Sequence, residues 1–415
     1  MDAPGTDATK SPTAHDASET PLAAVDLRLG PNVYALGAVS FFTDVSSEMI
    51  YPLLPIFLTT VLGASAGFIG VIEGTAESTA ALLKLASGWW SDRIERRKPL
   101  VVAGYVLASI VRPLVAIAQN ATQVLLIRVS DRVGKGIRSS PRDALIADSV
   151  DPSMRGKAFG VRNAADNAGA LLGPVIAFAL LSWFHFSLRS VFWLAAIPGA
   201  IAIVVAFFGI REVARTSVAS GKRPELAGGM GGRFWAFLAV IFLFTLGNST
   251  DAFLLLRAKE LGVPVALAPI LWALLNGVKS LSNVPGGSLS DRVGRRPILI
   301  AGWIVYALVY FLFARATQAW HAWALFAAYG IFFGLTEGTE LALVADVVPT
   351  ERRGAAYGWY YLAIGVGALP ASLIFGVLWD RFGSPVAFGA GAAMALLAAL
   401  AMLILPCAPQ PSPAH

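Results

Sequence analysis

The sequence predicts an all-α membrane protein that crosses the bilayer about twelve times. Hydrophobic residues make up 56% of the 415 residues and charged residues only 14%, with a mean hydropathy of +0.66. A soluble domain carries about 25% charged residues. The apolar residues fall in separate runs of about 20 residues, the length of one helical span, whereas a β-barrel shows short alternating strands.

Polar segments divide the chain into two helical bundles flanked by tails. Residues 1–31 lack the basic start and apolar core of a signal peptide, so we expect a disordered cytoplasmic tail. Residues 211–233 are polar and Gly-rich and predict a flexible cytoplasmic linker between bundles at 32–210 and 234–405, with a C-terminal tail at 406–415.

Apolar runs predict five spans before the linker and six after it. Those before it lie near 32–62, 66–90, 99–118, 157–183 and 190–210. Those after it lie near 234–257, 266–290, 297–315, 321–346, 355–379 and 385–405.

The stretch "RVSDRVGKGIRSSPRD" (128–143) lies where a twelfth span is missing, but it is strongly basic. An internal repeat assigns it. "GWWSDRIERRKP" (88–99) recurs as "GSLSDRVGRRP" (287–297), and "ADSVDPSMRGKAFG" (147–160) recurs as "ADVVPTERRGAAYG" (345–358). At this offset the apolar segment 323–346 falls on 125–148, which is therefore predicted to be the fourth span.

The net charge of +6 is distributed as in a membrane protein rather than a nucleic-acid-binding protein. Lysine and arginine cluster in alternate loops, for example at 93–98 and 292–296, whereas "LGASAG" (62–67) and "AQNAT" (118–122) have none. Cytoplasmic loops carry such an excess of cations, so both termini are expected in the cytoplasm.

Cofactor and metal sites are not expected. Cys407 is the only cysteine, and the four histidines lie in tails or predicted outer loops. "VGKGIRSS" lacks the phosphate-loop spacing and no strand precedes it. No nucleophile and base pair stands out, so we do not expect an enzyme.

The chain resembles the major facilitator superfamily from about residue 32 to 405. The repeated motif at 88–98 and 287–296 is similar to the family's hallmark loop, although Glu95 replaces the usual glycine that Gly294 retains. "GALLGP" (169–174) and "PLLP" (52–55) are similar to motifs of bacterial drug/proton antiporters, although Ala177-Phe178 replaces the small pair that normally follows the former. The resemblance implies two six-helix bundles related by a pseudo-twofold axis, a central cavity and alternating access.

The fourth span carries five cations on one side. Arg128, Arg132, Lys135, Arg138 and Arg142 fall within an arc of about 120° on a helix, and Asp131 lies on the same side. Because an isolated cation in the bilayer centre is costly, this stripe is expected to face an aqueous cavity. Alternatively, Arg138 and Arg142 lie near the cytoplasmic end and pair with acids or reach the interface.

Acids on the first two spans complement the stripe. Asp44 and Glu48, and likewise Glu73 and Glu77, are four residues apart and share a helix face. They either form structural ion pairs with the cations or take up protons when substrate displaces a cation. Glu337 and Glu340 match Ser139 and Arg142 in the repeat, which suggests an ion bridge between the halves.

The repeated loops predict a gate on the cytoplasmic side. Gly88 and Gly287 permit close helix approach. Asp92 and Asp291 are placed to cap a helix of the other half, and four arginines are placed to bridge to acids or carbonyls: Arg93, Arg97, Arg292 and Arg296. Gly169, Gly173 and Pro174 are expected to shape helix packing.

Three functional hypotheses follow. The first is a proton-coupled exporter of small anionic, zwitterionic or drug-like solutes, acting as a monomer in a bacterial inner membrane, with protons and the lipid bilayer as its other partners. The second is a proton-coupled importer of an organic anion or iron chelate. The third, a non-transporting receptor, is disfavoured because a receptor has no need of two symmetric gates.

Overall fold

The computed structural model describes residues 29–91, 94, 96–150, 155–213, 230–348 and 353–405. The predicted tails therefore lie almost wholly outside the described residues, as does most of the predicted linker. Within the described ranges the chain forms fifteen α-helices: α1 (Pro31–Ile50), α2 (Leu54–Thr60), α3 (Ala66–Ser91), α4 (Lys98–Val111), α5 (Ala121–Asp148), α6 (Arg155–Ser182), α7 (Leu188–Leu194), α8 (Ala196–Gly209), α9 (Gly231–Gly247), α10 (Ala252–Glu260), α11 (Ala268–Val293), α12 (Arg295–Arg315), α13 (Ala319–Asp346), α14 (Arg353–Phe382) and α15 (Ser384–Ile404).

These helices make twelve crossings in the described part of the chain, and four of the crossings are not a single α-helix. In the third crossing α4 continues as a 3-10 segment at Arg112–Ile117. A 3-10 turn at Tyr51–Leu53, which contains Pro52, joins α1 to α2 in the first crossing. Helices α7 and α8 form the sixth crossing, and α9 and α10 form the seventh. The fourth crossing is the single helix α5, which contains all of residues 128–143. The predicted fourth span is confirmed.

Nine of the twelve described crossings are long and apolar enough to span a membrane by composition alone. The three that fail this test are the first, second and fourth, at 31–60, 66–91 and 121–148. These are the crossings that carry the acids and cations considered above. The charges of these three crossings must therefore be kept from the lipid by partners or by water-filled space.

The two halves repeat the same packing. In the first half α1 packs on α6 and α8, α5 packs on α3 and α4, and α4 packs on α8. In the second half α9 packs on α14 and α15, α13 packs on α11 and α12, and α12 packs on α15. Helices in equivalent positions make equivalent contacts, as a pseudo-twofold axis requires.

The halves meet along α3 with α14 and along α6 with α11. Glycines bring α3 and α14 together closely: a Cβ on Gly70 would lie 2.2 Å from the carbonyl oxygen of Ser372, and one on Gly74 would lie 2.8 Å from the Cα of Leu369. At one end of this contact the Asp380 carboxylate accepts hydrogen bonds from the backbone N–H groups of Ala66 (2.9 Å) and Gly67 (2.7 Å). We call this contact the inter-half cap.

Candidate functional site

Two adjoining cavities lie between the halves. One, of about 240 Å³, is lined by the acids Glu73, Glu77 and Asp251 and is called the acidic cavity. The other, of about 170 Å³, is called the basic cavity because five cations line it, namely Arg112, Arg128, Arg132, Lys135 and Arg138. Tyr51 and Asp251 line both cavities. Together they form the chamber.

Helix α5 supplies most of the charge in the basic cavity. Five of its side chains line that cavity: Arg128, Asp131, Arg132, Lys135 and Arg138. Their spacing of three or four residues places them on one helix face. Lys135 lies at the midpoint of this 28-residue helix, so the stripe runs through the middle of the membrane.

Asp131 is the centre of a buried charge network. Its Oδ1 accepts hydrogen bonds from Arg112 Nε (3.1 Å) and Nη2 (2.8 Å). Its Oδ2 lies 3.7 Å from Arg128 Nη1 and 4.0 Å from Arg132 Nη1. Arg112 also donates to the carbonyl of Thr43 on α1 (3.0 Å). One carboxylate thus compensates three guanidinium groups that would otherwise be expensive to bury.

The two acids of α3 neutralise cations of α5. Glu73 accepts a bidentate pair from Arg128, at 3.0 Å to Nε and 2.6 Å to Nη2. Glu77 lies 3.0 Å from Arg132, and its side chain remains 46% exposed toward the acidic cavity. Both acids therefore adopt the ion-paired arrangement, which is one of the two alternatives that the sequence leaves open.

Two cations of the basic cavity have no acidic partner. Within the described ranges, no carboxylate oxygen lies within 4.0 Å of Lys135 Nζ or of the Arg138 guanidinium. Arg138 stacks on the ring of Tyr105 at 4.4 Å, and its buried Nε and Nη1 have no hydrogen-bond partner there. Buried polar atoms without a partner are rare in native proteins. These two side chains are placed to accept an anion.

Four of the five cations in the predicted stripe line the basic cavity. Arg142 does not line either cavity. It lies 3.0 Å from Asp143 and donates to the Ser40 hydroxyl at 3.3 Å. Pairing with an acid was the alternative considered for Arg142, and it arises because this residue lies near the end of α5, beyond the cavity.

Glycines of α6 position the acids of α1. A Cβ on Gly169 would lie 3.0 Å from the Asp44 Cβ, and one on Gly173 would lie 2.9 Å from the Glu48 Cβ. Pro174 follows inside the same helix. The small residues therefore let α6 support α1 directly behind these two carboxylates, which face the basic cavity. Helix packing is the role that the sequence predicts for this motif.

Asp44 and Glu48 lack ion pairs among the described residues. The Asp44 carboxylate has no hydrogen-bond partner there, and Glu48 accepts a 2.6 Å hydrogen bond from Trp272 Nε1 on α11. Trp272 belongs to the second half, so Glu48 connects the two halves directly.

The seventh crossing is broken beside the acidic cavity. Residues 248–250 are not helical, and Asn248, Ser249, Thr250 and Asp251 line this cavity. Tyr329 donates its hydroxyl to Asp251 Oδ1 at 2.8 Å. Unwound backbone at membrane depth is tolerated where it lines a cavity, and transporters use such breaks to hold ligands.

The predicted ion bridge from Glu337 and Glu340 to the first half is wrong. Glu337 pairs with Lys279 of its own half at 2.5 Å. Glu340 accepts hydrogen bonds from Tyr360 (2.5 Å) and Trp303 (3.3 Å), also of its own half. Partners on adjacent helices satisfy both acids, and repeat register alone did not reveal these partners.

Part of the first hallmark loop lies outside the described residues. Asp92 and Arg93 lie outside the described residues. Gly88 packs against Ser140, at 3.3 Å for an added Cβ, whereas no atom of the described residues lies within 4 Å of a Cβ added at Gly287. The close helix approach expected at Gly287 is therefore not formed by the described part of the chain.

Three charged side chains of these loops form contacts within their own halves. Arg97 pairs with Asp148, and Arg296 donates to the carbonyl of Met402 at 2.9 Å. Arg292 is exposed. Asp291 pairs with Arg295, four residues later, so the predicted cap on a helix of the other half is not formed there. A cap between the halves is formed by Asp380 at the other end of the bundle, at the start of α3.

Three important residues were not among the predicted site residues: Arg112, Asp251 and Asp380. Asp251 follows the turn-forming residues 248–250 inside an apolar run. Arg112 lies within the apolar run 99–118, and an arginine at that depth is itself a signal of function. Asp380 lies at the end of a span, and nothing in its local sequence indicates that it reaches the other half. Its role depends on how α3 and α14 meet.

A family model that matches both halves of the chain identifies the family. The family model for the Major Facilitator Superfamily matches residues 36–279 and 236–415. The chain belongs to the major facilitator superfamily. Its family is one of transporters rather than enzymes, so this protein is a multi-pass membrane transporter of small molecules.

Relatives in the superfamily agree with this assignment. An uncharacterized MFS-type transporter of Methanocaldococcus jannaschii is 34% identical over 388 residues, which cover 92% of this chain and 96% of the relative. Multidrug resistance protein MdtG of Salmonella arizonae is 27% identical over 74% of this chain and 78% of its own length.

Solved superfamily structures share the fold. A bacterial homolog to the human lysosomal transporter Spinster, in an inward-facing and occupied conformation, has a TM-score of 0.75. It is 16% identical and the match covers 90% of this chain and 96% of that chain. The nucleoside transporter NupG also has a TM-score of 0.75, at 14% identity over 90% of this chain and 99% of that chain.

Proposed function

We propose that this protein is a proton-coupled exporter of small organic solutes that carry a negative group, either anions or zwitterions. One observation carries the proposal: Lys135 and Arg138 line the chamber at mid-membrane with no carboxylate within 4.0 Å among the described residues. The relative named a multidrug resistance protein supports export. We place the protein in a bacterial inner membrane with both termini in the cytoplasm, acting as a monomer.

The anionic group of the substrate binds between Lys135 and Arg138. Its oxygens accept charge-assisted hydrogen bonds from Nζ of Lys135 and from the part of the Arg138 guanidinium that lines the basic cavity. Tyr105 already holds the Arg138 guanidinium in place at 4.4 Å, so little side-chain entropy is lost when the anion arrives. The remaining three cations are neutralised by the acids described above, and they contribute less to binding.

Asp44 and Glu48 are the proposed proton carriers because they face the same cavity without an ion pair. An anion beside them favours their protonated, neutral forms, since like charges repel. This arrangement also favours a second function, proton-coupled import, in which anion and proton travel together. Export requires instead that substrate and proton compete for one group.

Alternating access follows from the contact between the halves. The glycine-lined approach of α3 to α14 and the inter-half cap hold the chamber closed at the end opposite Arg96 and Arg97. Rocking of the halves breaks this contact and opens the chamber on that side.

Proteoliposomes with an imposed pH gradient and a trapped pH-sensitive dye test the proposal. We expect a panel of labelled carboxylates and amino acids to contain members whose efflux accompanies proton entry. Lys135→Gln should lower that flux at least tenfold. Lys84→Gln, which removes a membrane-embedded lysine that lies over Tyr361 and outside both cavities, should not.

Two outcomes contradict the proposal. Transport of lipophilic cations that is unaffected by Lys135→Gln excludes an anion site at this position. If an acidic exterior drives uptake, so that substrate and proton move in the same direction, the protein is a proton-coupled importer and the proposed export is wrong.

A further inference from the structure

The chamber has a separate acidic pole. Asp251 Oδ1 accepts the Tyr329 hydroxyl, and no cation lies within 4.0 Å of this carboxylate among the described residues. Asp251 is half-buried and lines both cavities. Its direct partner is thus a neutral phenol, and the carboxylate is open to the chamber.

The charges that line the two cavities separate into compensated and uncompensated groups. Three cations pair with three acids, as Arg112 with Asp131, Arg128 with Glu73 and Arg132 with Glu77. Lys135 and Arg138 remain in the basic cavity, together with Asp44 and Glu48. Asp251 remains at the junction with the acidic cavity. When Asp44 and Glu48 carry protons, the uncompensated charge of the basic cavity is that of Lys135 and Arg138. The chamber then offers a positive end and a negative end.

We propose that the substrate is a zwitterion, with its anionic group between Lys135 and Arg138 and its ammonium group at Asp251. The inference rests on the anion site of the proposed function and adds the second pole. A molecule with opposite charges at its two ends compensates both poles of the chamber at once. A simple anion leaves Asp251 open.

The surroundings of Asp251 suit an ammonium group. Tyr329 lines the acidic cavity beside Asp251, and aromatic faces attract cations. The break in the seventh crossing adds the Thr250 hydroxyl and the Asn248 amide. The C-terminal end of α9, at Gly247, carries the negative end of the helix dipole.

An ammonium at Asp251 also explains how substrate and proton compete. The carboxylate cannot hold a proton and at the same time form an ion pair with the ammonium. Loading the zwitterion from one side therefore releases a proton from Asp251, and the proton returns from the other side after the substrate leaves. Asp251 thus supplies the competition between substrate and proton that export requires, in addition to the proton carriers Asp44 and Glu48.

Matched ligands test the proposal on the purified full-length chain. Binding of 4-aminobutyrate, 5-aminovalerate, 6-aminohexanoate and 8-aminooctanoate is compared by calorimetry with binding of butyrate, valerate, hexanoate and octanoate. We expect at least one amino acid of this series to bind tenfold or more tightly than its carboxylate. The preferred chain length then measures the separation of the poles.

Substitutions assign the poles. Asp251→Asn should remove the preference for the amino acid while binding of the plain carboxylate persists, which also shows that the variant folds. Lys135→Gln should weaken binding of both the amino acid and the plain carboxylate. Asp346→Asn, an exposed acid outside the chamber, should change neither.

Four results overturn the zwitterion. The first is equal affinity for amino acid and carboxylate at every length, and the second is no binding by either series. The third is a preference that Asp251→Asn leaves intact. If affinity for both series requires Na⁺ in place of choline and Asp251→Asn removes that requirement, Asp251 holds a metal ion and the inference is wrong. If Lys135→Gln does not weaken binding of the plain carboxylates, the anion site is wrong. The proposed function is then wrong as well, whatever the result for Asp251→Asn.

Discussion

At the scale of single residues, the chamber shows three ways to keep a cation inside a membrane. Arg112 and Arg128 bond to buried acids. Arg138 stacks on an aromatic ring, and Lys135 is exposed to a cavity. The first way stabilises the fold, because removal of a partner leaves a buried charge uncompensated. The other two leave charge available to a ligand.

Asp131→Asn should strongly destabilise the protein. Asp131 is 2% exposed and is shared by three arginines, so neutralising it leaves guanidinium groups that repel one another. We expect a loss of about 3–5 kcal/mol, as for other buried pairs that lose one partner, seen as a lower midpoint of thermal unfolding in detergent. Asp346→Asn is the matched control and should unfold like the wild type. Equal midpoints for both variants contradict the structural role.

Asp44→Asn should uncouple transport from the pH gradient. The amide cannot carry a proton, but it fills the same space against Gly169 of α6, so the site remains intact. Substrate exchange across proteoliposomes should persist while the dye reports reduced proton flux. Asp143→Asn removes an acid of α5 that pairs with Arg142 outside both cavities, and it should leave coupling unchanged. Normal proton flux in Asp44→Asn assigns coupling to another group.

At the scale of elements, sequence periodicity and the repeat predicted helix positions well but not helix contacts. The fourth span could be predicted only from the repeat, because its many charges lower its hydropathy below that of a typical membrane span. The break at 248–250 carries turn-forming residues, yet it lies inside an apolar run that suggests a continuous helix.

Pairing of charges depends on the rotation and depth of each helix, which the sequence does not encode locally. Glu73 and Glu77 could be matched to the α5 cations only as a group. Glu340 was assigned to the wrong partner, because two aromatic residues on neighbouring helices lie closer to it.

Asp380→Asn should favour the state that is open at the inter-half cap. The carboxylate interacts with the N-terminus of α3 through two backbone N–H groups, and such an interaction contributes about 0.3–1 kcal/mol. A shift of about twofold to fivefold toward the open state follows. Its measure is the rate at which an impermeant maleimide labels Thr250→Cys, in a chain with Cys407→Ala.

Glu260→Gln is the control for the inter-half cap. Glu260 also lies at a helix end, but it bonds to Arg257 and Ser384 within its own half. Its loss should not change the labelling rate. A rate in Asp380→Asn equal to that in Glu260→Gln shows that the cap does not hold the halves together.

At the scale of the whole molecule, the distribution of loop charges predicts orientation. Single cysteines placed in the Cys407→Ala background at Ala64 and at Ser149 lie in loops at opposite ends of the bundle. We expect an impermeant reagent to label Ala64→Cys in intact cells and Ser149→Cys only in inverted vesicles. Labelling of Ser149→Cys in intact cells reverses the topology and places the inter-half cap on the cytoplasmic side.

The hydrogen bond from Trp272 to Glu48 has a thermodynamic consequence. It joins an indole of one half to a carboxylate of the other. A hydrogen bond to an ionised acceptor is roughly twice as strong as one to a neutral acceptor. Neutralising Glu48 therefore weakens adhesion between the halves, and separating the halves alters the affinity of Glu48 for a proton by the same free energy. The Trp272 indole therefore couples protonation of Glu48 to the movement of one half against the other.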